Sequence, residues 1–218
     1  MHTRTLLLRS VLAALMLVLG LAPGCAPRHL EPAPADAGIS LAVAPFNQPT
    51  TSRQALAGYI SDTETVNAKT LASLDSALAQ ELLTTSRAYK GTSLTRPCME
   101  PALGEFKNPK AKALDYWVEV GRCAATDYLL VPQVISWHER EGGPAGVTKP
   151  ASVVIDFYVV HVPEHSVTAR YRYDETQVSL TDNLLTLPRF LQRGAKWVTA
   201  EDLARYGISQ ALGRVGLK

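Results

Sequence analysis

The chain has no surplus of charge, only three cysteines, and no apolar run long enough to span a bilayer. Lys and Arg number 22 against 20 Asp and Glu. Arg4 and Arg9 belong to an amino-terminal leader, and without them 20 basic residues face 20 acidic ones. A balanced chain excludes the polyanion binders, whose affinity comes from excess Lys and Arg, so no nucleic-acid partner is expected. The sequence has no G-x-S-x-G elbow and no phosphate-binding or dinucleotide glycine pattern. His138-Glu-Arg-Glu141 lacks the second His of a zincin motif, and His161 and His165 straddle a strand and its turn. No metal site, cofactor or catalytic residue is therefore assigned. No internal repeat is visible. What is present is an apolar fraction of 46%, which excludes a disordered chain.

Residues 1–24 have the parts of a signal peptide. Arg4 and Arg9 make a positive start, and Val11 to Leu21 is apolar apart from Gly20. That core has 11 residues, and counting back to Leu6 gives 16, interrupted by Arg9 and Ser10. A transmembrane span needs about 20. Leu21-Ala22-Pro23-Gly24 then runs into Cys25. Small residues before a single Cys, directly after an apolar run, resemble the lipobox of bacterial lipoproteins, with Ala22 standing where Leu is usual. The resemblance implies cleavage before Cys25, a diacylglycerol on its thiol and an acylated amino terminus. The lipid bilayer is then the chain's first partner. Because Ala26 stands where an inner-membrane retention Asp would, the resemblance implies the periplasmic face of the outer membrane. Residues 26–38, APRHLEPAPADAG, are rich in Pro and Ala and read as a tether. Extended at about 3.1 Å per residue, such a segment reaches about 40 Å.

Residues 39–218 read as one α/β domain, a length that buries about 70% of the unfolded chain's surface. Cys98 and Cys123 remain once Cys25 carries lipid. In an oxidising compartment an even pair reads first as a disulfide, the alternatives being two buried thiols or a metal pair.

The residue pattern predicts a buried strand at Ile39–Phe46 and an irregular loop over 47–60. A helix is predicted over 62–85, started by a Ser61–Glu64 capping box and carrying Leu71, Leu74, Leu78 and Leu82 on one face. Its opposite face, with Lys69, Ser73, Asp75 and Gln80, is expected in solvent. Residues 88–108 are expected as a loop with one weak strand at Tyr89–Leu94. A second helix follows over 110–126, with Trp117, Val118 and Gly121 inward. Tyr128–Trp137, apolar on both faces, is predicted as a central strand, with a bulge or edge at Pro132. A polar loop over 138–149 leads to a hairpin of Ser152–Val162 and Val167–Gln177.

A four-residue connection sets Val162 opposite Val167, Val160 opposite Ala169 and Tyr158 opposite Tyr171. The other face then pairs His161 with Thr168, Val159 with Arg170 and Phe157 with Arg172. Asp156 falls on the apolar side opposite Tyr173, where a carboxylate needs Tyr173 or a helix N-terminus as partner. Beyond Gln177 a short helix is expected at Asp182–Gln192, then a final helix at Ala200–Leu212. Thr199 is its N-cap, Glu201 and Asp202 lie in its first turn, and Val198 packs on Leu203. The class is α/β, a mixed sheet with a helix-connected first half and an antiparallel hairpin second half, packed by helices.

The stretches ISLAVAPF, Ala124-Ala-Thr-Asp-Tyr-Leu-Leu130, Asp174-Glu-Thr-Gln177 and Trp197-Val-Thr-Ala-Glu-Asp-Leu-Ala204 resemble a small group of bacterial outer-membrane lipoproteins. The layout is more distantly similar to curli-secretion lipoproteins, peptidoglycan-synthase activators and the TolB amino-terminal domain. Unlike curli-secretion proteins, the chain has no pair of long alternating hairpins that could build a pore. The resemblance implies a non-enzymatic component of the cell envelope that binds or scaffolds another envelope protein, in cell-wall synthesis or export, or assembles with its own copies. The alternative is a carbohydrate-binding module or hydrolase using Asp174 and Glu175, with His138 converging on them. Asp174 and Glu175 otherwise read as a clasp for the helix near Asp182, or for Arg189 and Arg193.

Overall fold

Strand β2, Tyr128–His138, organises the molecule, because ten of its eleven residues are buried. A strand enclosed on both faces must be central, and β2 lies between β1 (Leu41–Val43), parallel to it, and an antiparallel partner, Ser152–His161. The computed structural model describes residues 40–85, 87–177 and 196–217. Among these, the helices are α1 (Ala68–Leu82), α2 (Thr92–Ala102), α3 (Ala113–Cys123) and α4 (Ala200–Arg214). The other strands are β3 (Glu141–Gly143), β4 (Gly146–Lys149), β5 (Ser152–His161) and β6 (Ser166–Thr176). The main sheet has the order β1-β2-β5-β6, and β3 and β4 form a separate two-stranded ribbon. The architecture is α/β with a mixed sheet, as expected.

Helices cover both faces of that sheet. On one, Leu74, Leu78 and Leu82 of α1 and Leu203, Ile208 and Leu212 of α4 pack with Val153, Ile155, Phe157 and Val159 of β5. On the other, Cys98 of α2 and Trp117, Val118 and Val120 of α3 pack with Leu129, Val131, Tyr158 and Val160. Alternation along β5 feeds each core in turn, the period-two logic of a strand buried on both sides. Gly121 lets α3 approach the sheet closely. A Cβ there would stand 2.3 Å from Val162 Cγ2.

Several expectations are corrected. The first helix begins at Ala68, not near residue 62, and its N-cap is Asn67, whose side chain accepts from Thr70 N. Residues 63–66 are held instead by the end of β2 and by Gln48. Glu64 N donates to Trp137 O at 2.9 Å, Trp137 N donates to Thr63 Oγ1 at 2.8 Å, and Val66 N donates to Gln48 Oε1 at 2.9 Å. The first of these occupies the Glu64 N–H that a Ser61–Glu64 box would use. The far face of α1 is also not simply solvated. Asp75 accepts from Phe46 N and from Arg96, and Ser73 donates to Glu201 of α4.

The predicted weak strand shrinks to one rung at Lys90, which bridges to Ala42, and the rest becomes helix α2 with a 3-10 extension, Leu103–Lys107. Pro97 and Pro101 argue against that helix locally, since each removes a backbone donor. Tertiary contacts override them. Thr95 Oγ1, fully buried, donates to Val43 O at 2.7 Å, and Cys98 is bonded to α3.

Pro132 pairs in regular register with Phe157 of β5, and the irregularity expected there falls on its β1 side. Ala44 N donates to Leu130 O, the next rung would need a donor on Pro132, and the parallel ladder is interrupted there and resumes one residue out of register with Asn47 opposite Gln133. The bulge comes three residues later, at Ile135. The polar loop over 138–149 carries the β3–β4 ribbon, with Gly142 at φ 119.

The β5–β6 register differs from the predicted one by two residues next to the turn and by one beyond the bulge. His161 pairs with Ser166 and Val160 with Val167, then a bulge at Thr168 sets Val159 opposite Ala169, Phe157 opposite Tyr171 and Asp156 opposite Arg172. The connection keeps four residues but slides back to 162–165, with His165 at φ 51. Helix α4 follows expectation, with a reciprocal Thr199–Asp202 capping box. The helix expected at Asp182–Gln192 lies outside the described residues.

Candidate functional site

A buried amide in the middle of β2 builds the first candidate site. Gln133 is fully enclosed in an otherwise apolar strand, and all its hydrogen bonds reach the loop after β1. Its Nε2 donates to Asn47 Oδ1 (3.0 Å) and Gln54 O (3.1 Å), and its Oε1 accepts from Leu56 N (2.8 Å). A buried amide must be paired in this way, and the pairing pins residues 47–56 against the sheet.

The pinned loop, α2 with its 3-10 extension, and α3 enclose a cleft of about 210 Å³. Its apolar side is Met99, Leu103, Phe106, Tyr116 and Trp117. The Phe106 and Tyr116 rings stack at 5.4 Å, and Tyr116 meets Trp117 edge-on at 4.8 Å. Arg53 lies over Phe106, with its guanidinium engaged by the carbonyls of Phe106, Asn108 and Ala111.

The polar side is unequal in its free valences. Asn47 Oδ1 is taken by Gln133, Gln48 Oε1 by Val66 N, and Gln54 Oε1 by both Thr50 N (3.0 Å) and Thr50 Oγ1 (2.8 Å). Among the described residues, Trp117 Nε1 is buried without a hydrogen-bond partner. Burial pushes the Tyr116 hydroxyl up to about 12.

The disulfide forms the spine behind this cleft. Cys98 Sγ and Cys123 Sγ are bonded at 1.98 Å, with Cα atoms 5.7 Å apart, and join α2 to α3.

Asp156 is the other concentration of chemistry. It is fully enclosed, on the α2–α3 side of the sheet. Oδ1 accepts from Arg172 Nε (2.8 Å), and Oδ2 accepts from Arg172 Nη2 (2.7 Å), Arg170 Nη2 (2.9 Å) and the Tyr158 hydroxyl (2.9 Å). Burial alone would raise this carboxyl. The two guanidiniums outweigh it and hold the group below the usual carboxylate range. Arg170 lies over the Tyr158 ring and Arg172 over the Tyr59 ring. Neither partner expected for Asp156 is the one found, because the register shift replaces Tyr173 with Arg172.

Asp174 and Glu175 do not form a convergent pair. They are consecutive in β6, so their side chains leave opposite faces of the sheet. His138 is separated from β6 by the whole of β5, with Ser152 between it and Thr176, and lies 3.8 Å from Glu64. Arg189, Arg193 and the segment near Asp182 lie outside the described residues, as does Cys25. His161 and His165 face separate carboxylates, Glu164 at 3.0 Å and Asp115 at 2.7 Å. Among the described residues, no three His, Cys, Asp or Glu side chains gather as a metal site would require.

No family model matches the chain, and no curated protein does. Among solved structures it is similar to the PelC dodecamer from Paraburkholderia phytofirmans, at 14% identity over 85% of this chain and 94% of that one, TM-score 0.46. It is also similar to the LpoB C-terminal domain from Salmonella enterica, at 12% identity over 68% and 90% of the two chains, TM-score 0.37. A third is a lipoprotein from Neisseria meningitidis, at 10% identity over 72% and 98%, TM-score 0.38.

Proposed function

We propose that the chain is a membrane-anchored lipoprotein of the bacterial envelope. Residues 1–24 are its signal peptide, Cys25 its acylated first residue, and residues 26–38 the tether of a single domain over 39–218. The observation that carries this reading is the distribution of cysteine. Two of three are joined in a disulfide, which fits an oxidising compartment. The third follows a short apolar run and small residues, where lipid is attached in the proteins it resembles. Each buried methylene contributes about 0.8 kcal/mol of membrane affinity, so several acyl chains hold the protein stably.

The domain works by binding, on the periplasmic face of the outer membrane, as a scaffold for another envelope protein or for its own copies. The cleft beside α3 supports binding more than catalysis, since it is lined by aromatic, apolar and neutral polar side chains. The hydrolase alternative needs Asp174, Glu175 and His138 in one cleft, and their strand positions separate them.

Fractionation tests the anchor. Wild-type protein is expected in the outer-membrane fraction, released only by detergent, with an amino-terminal mass carrying diacylglycerol and an amide-linked acyl chain. Cys25→Ser is expected to retain its leader and lack lipid. A mature terminus without lipid, or unchanged lipid-bearing mass in the variant, overturns the reading.

A further inference from the structure

Strand β6 ends the sheet order β1-β2-β5-β6, so among the described residues its outer edge has no neighbouring strand. Gln177 N donates to Ala151 O, and antiparallel pairing alternates, so the backbone groups of Tyr171, Tyr173 and Glu175 run inward to β5. Those of Arg170, Arg172, Asp174 and Thr176 run outward, and among the described residues no hydrogen bond reaches them. The bulge at Thr168 bounds this straight stretch on one side and the strand end at Thr176 bounds it on the other. An open edge invites another strand, and proteins guard such edges with lysines, prolines or bulges. Here the charges change sign along the edge instead. Arg170, Arg172 and Asp174 share the face turned to α2 and α3, and Arg170, Asp174 and Thr176 are exposed. The two guanidiniums share one carboxylate, Asp156, which leaves one positive charge over. Among the described residues Asp174 has no ion pair.

Antiparallel pairing of this edge with itself satisfies the backbone and the charges at one register. The stretch 170–176 is symmetric about Tyr173, so a two-fold axis there gives a second copy the full overlap. That register sets Arg172 opposite Asp174 of the second copy, and Arg170 opposite its Thr176. Both are hydrogen-bonded pairs, since all four residues present their backbone groups outward. The surplus positive charge of each copy then meets the unpaired carboxylate of the other. An axis at Arg172 would set that arginine against itself, and an axis at Asp174 would set two carboxylates together. We infer that β6 pairs antiparallel with β6 of a second copy about an axis at Tyr173, joining two four-stranded sheets into one. Such an interface is self-complementary and closes at two copies. A stretch this short buries too little surface to hold dilute protein together. A lipid anchor confines the copies to one membrane face and raises their local concentration, which suits an interface of this size. The inference rests on the reading of the domain as an anchored component that binds its own copies, and names the surface that does so.

The test uses the full lipid-bearing chain in vesicles of phosphatidylethanolamine and phosphatidylglycerol, with a nitroxide on Ser166→Cys. Cys98 and Cys123 are bonded and Cys25 carries lipid, so the introduced thiol is the one that reacts. Ser166 lies beyond the bulge, outside the paired stretch, and six rungs from Tyr173. Twice that span, at about 3.4 Å per rung, places the two labelled Cα atoms about 40 Å apart. Double electron–electron resonance is expected to show a distance peak there. Asp174→Lys in the same chain puts a like charge opposite Arg172 of the second copy and is expected to lower the peak about fivefold. Because Asp174 is exposed, the thermal midpoint of that variant should barely move. The inference is overturned by the absence of the peak, by a peak displaced from 40 Å by more than about 5 Å, which is more than one rung, or by a peak that Asp174→Lys leaves unchanged. The amino-terminal mass is read on the same sample. Missing lipid counts against the anchor, and a missing peak in lipid-bearing protein counts against the strand pairing alone.

Discussion

Replacing Asp156 by Asn tests whether the buried ion pair holds the second half of the sheet in register. The substitution keeps the shape and one acceptor but removes the charge that two arginines share. Four charge-assisted hydrogen bonds meet on this carboxylate. Breaking a fully buried pair from one side costs about 3–5 kcal/mol. Here the arginine side chains are 38% and 32% exposed, so water takes up part of the loss. Discounted for that screening, the expected destabilisation is about 2–3 kcal/mol at pH 7. For a domain of this size that lowers the thermal midpoint by roughly 5–10 °C.

The pH dependence gives a sharper check. The folded carboxyl lies below its ordinary value, so its stabilisation is complete above that value, about 3.9, and is lost as pH falls through the folded one. Asn does not titrate. Urea unfolding of both proteins from pH 7 down to about 2.5 should therefore show a gap that closes only on the acid side. A gap under about 0.5 kcal/mol at pH 7, or one that stays constant through acid, would refute the role of Asp156 as a charged clamp on β6.

Two further perturbations probe the helix layer behind the cleft. The bridge spans 25 residues of sequence, and replacing Cys98 and Cys123 together by Ser should cost about 3 kcal/mol in denaturant unfolding. Two titratable thiols in the native oxidised protein would contradict the bond. Gly121→Ala should cost about 1–3 kcal/mol, because its Cβ meets Val162 at 2.3 Å, and Val162→Ala in the same chain should recover part of it. Gly104→Ala, with nothing within 4 Å, is the control and should stay within about 0.5 kcal/mol of wild type. If the two glycine variants melt together, α3 does not press on Val162 through Gly121.

The elements legible in the sequence are those decided locally. Tyr128–Trp137 is apolar at successive positions and could only be a central strand. Thr199 and Asp202 sit at the spacing of a capping box, and the final helix starts where they place it. Helix α2 was illegible for the opposite reason. Pro97 and Pro101 forbid it by every local rule, and what holds it, Thr95 on Val43 and Cys98 on Cys123, comes from residues distant in sequence. The Ser61–Glu64 box shows the converse. Its spacing is right, but the end of β2 claims the same backbone first.

The candidate site was half legible, and the missing half is register. An Asp in an apolar strand announces that partners exist, because a bare carboxylate cannot be buried. Which partners depends on what lies opposite, and the turn at 162–165 together with the extra residue at Thr168 sets Arg172 there in place of Tyr173. The same demand was visible at Gln133, a lone amide in YLLVPQVISW. Its partners, Asn47, Gln54 and Leu56, lie 77 or more residues away in a loop with no pattern of its own. That loop is ordered because Gln133 needs it, and the cleft exists because the loop is ordered. Polar residues stranded in buried strands thus show in the sequence where contacts must be made, and the fold supplies the partners.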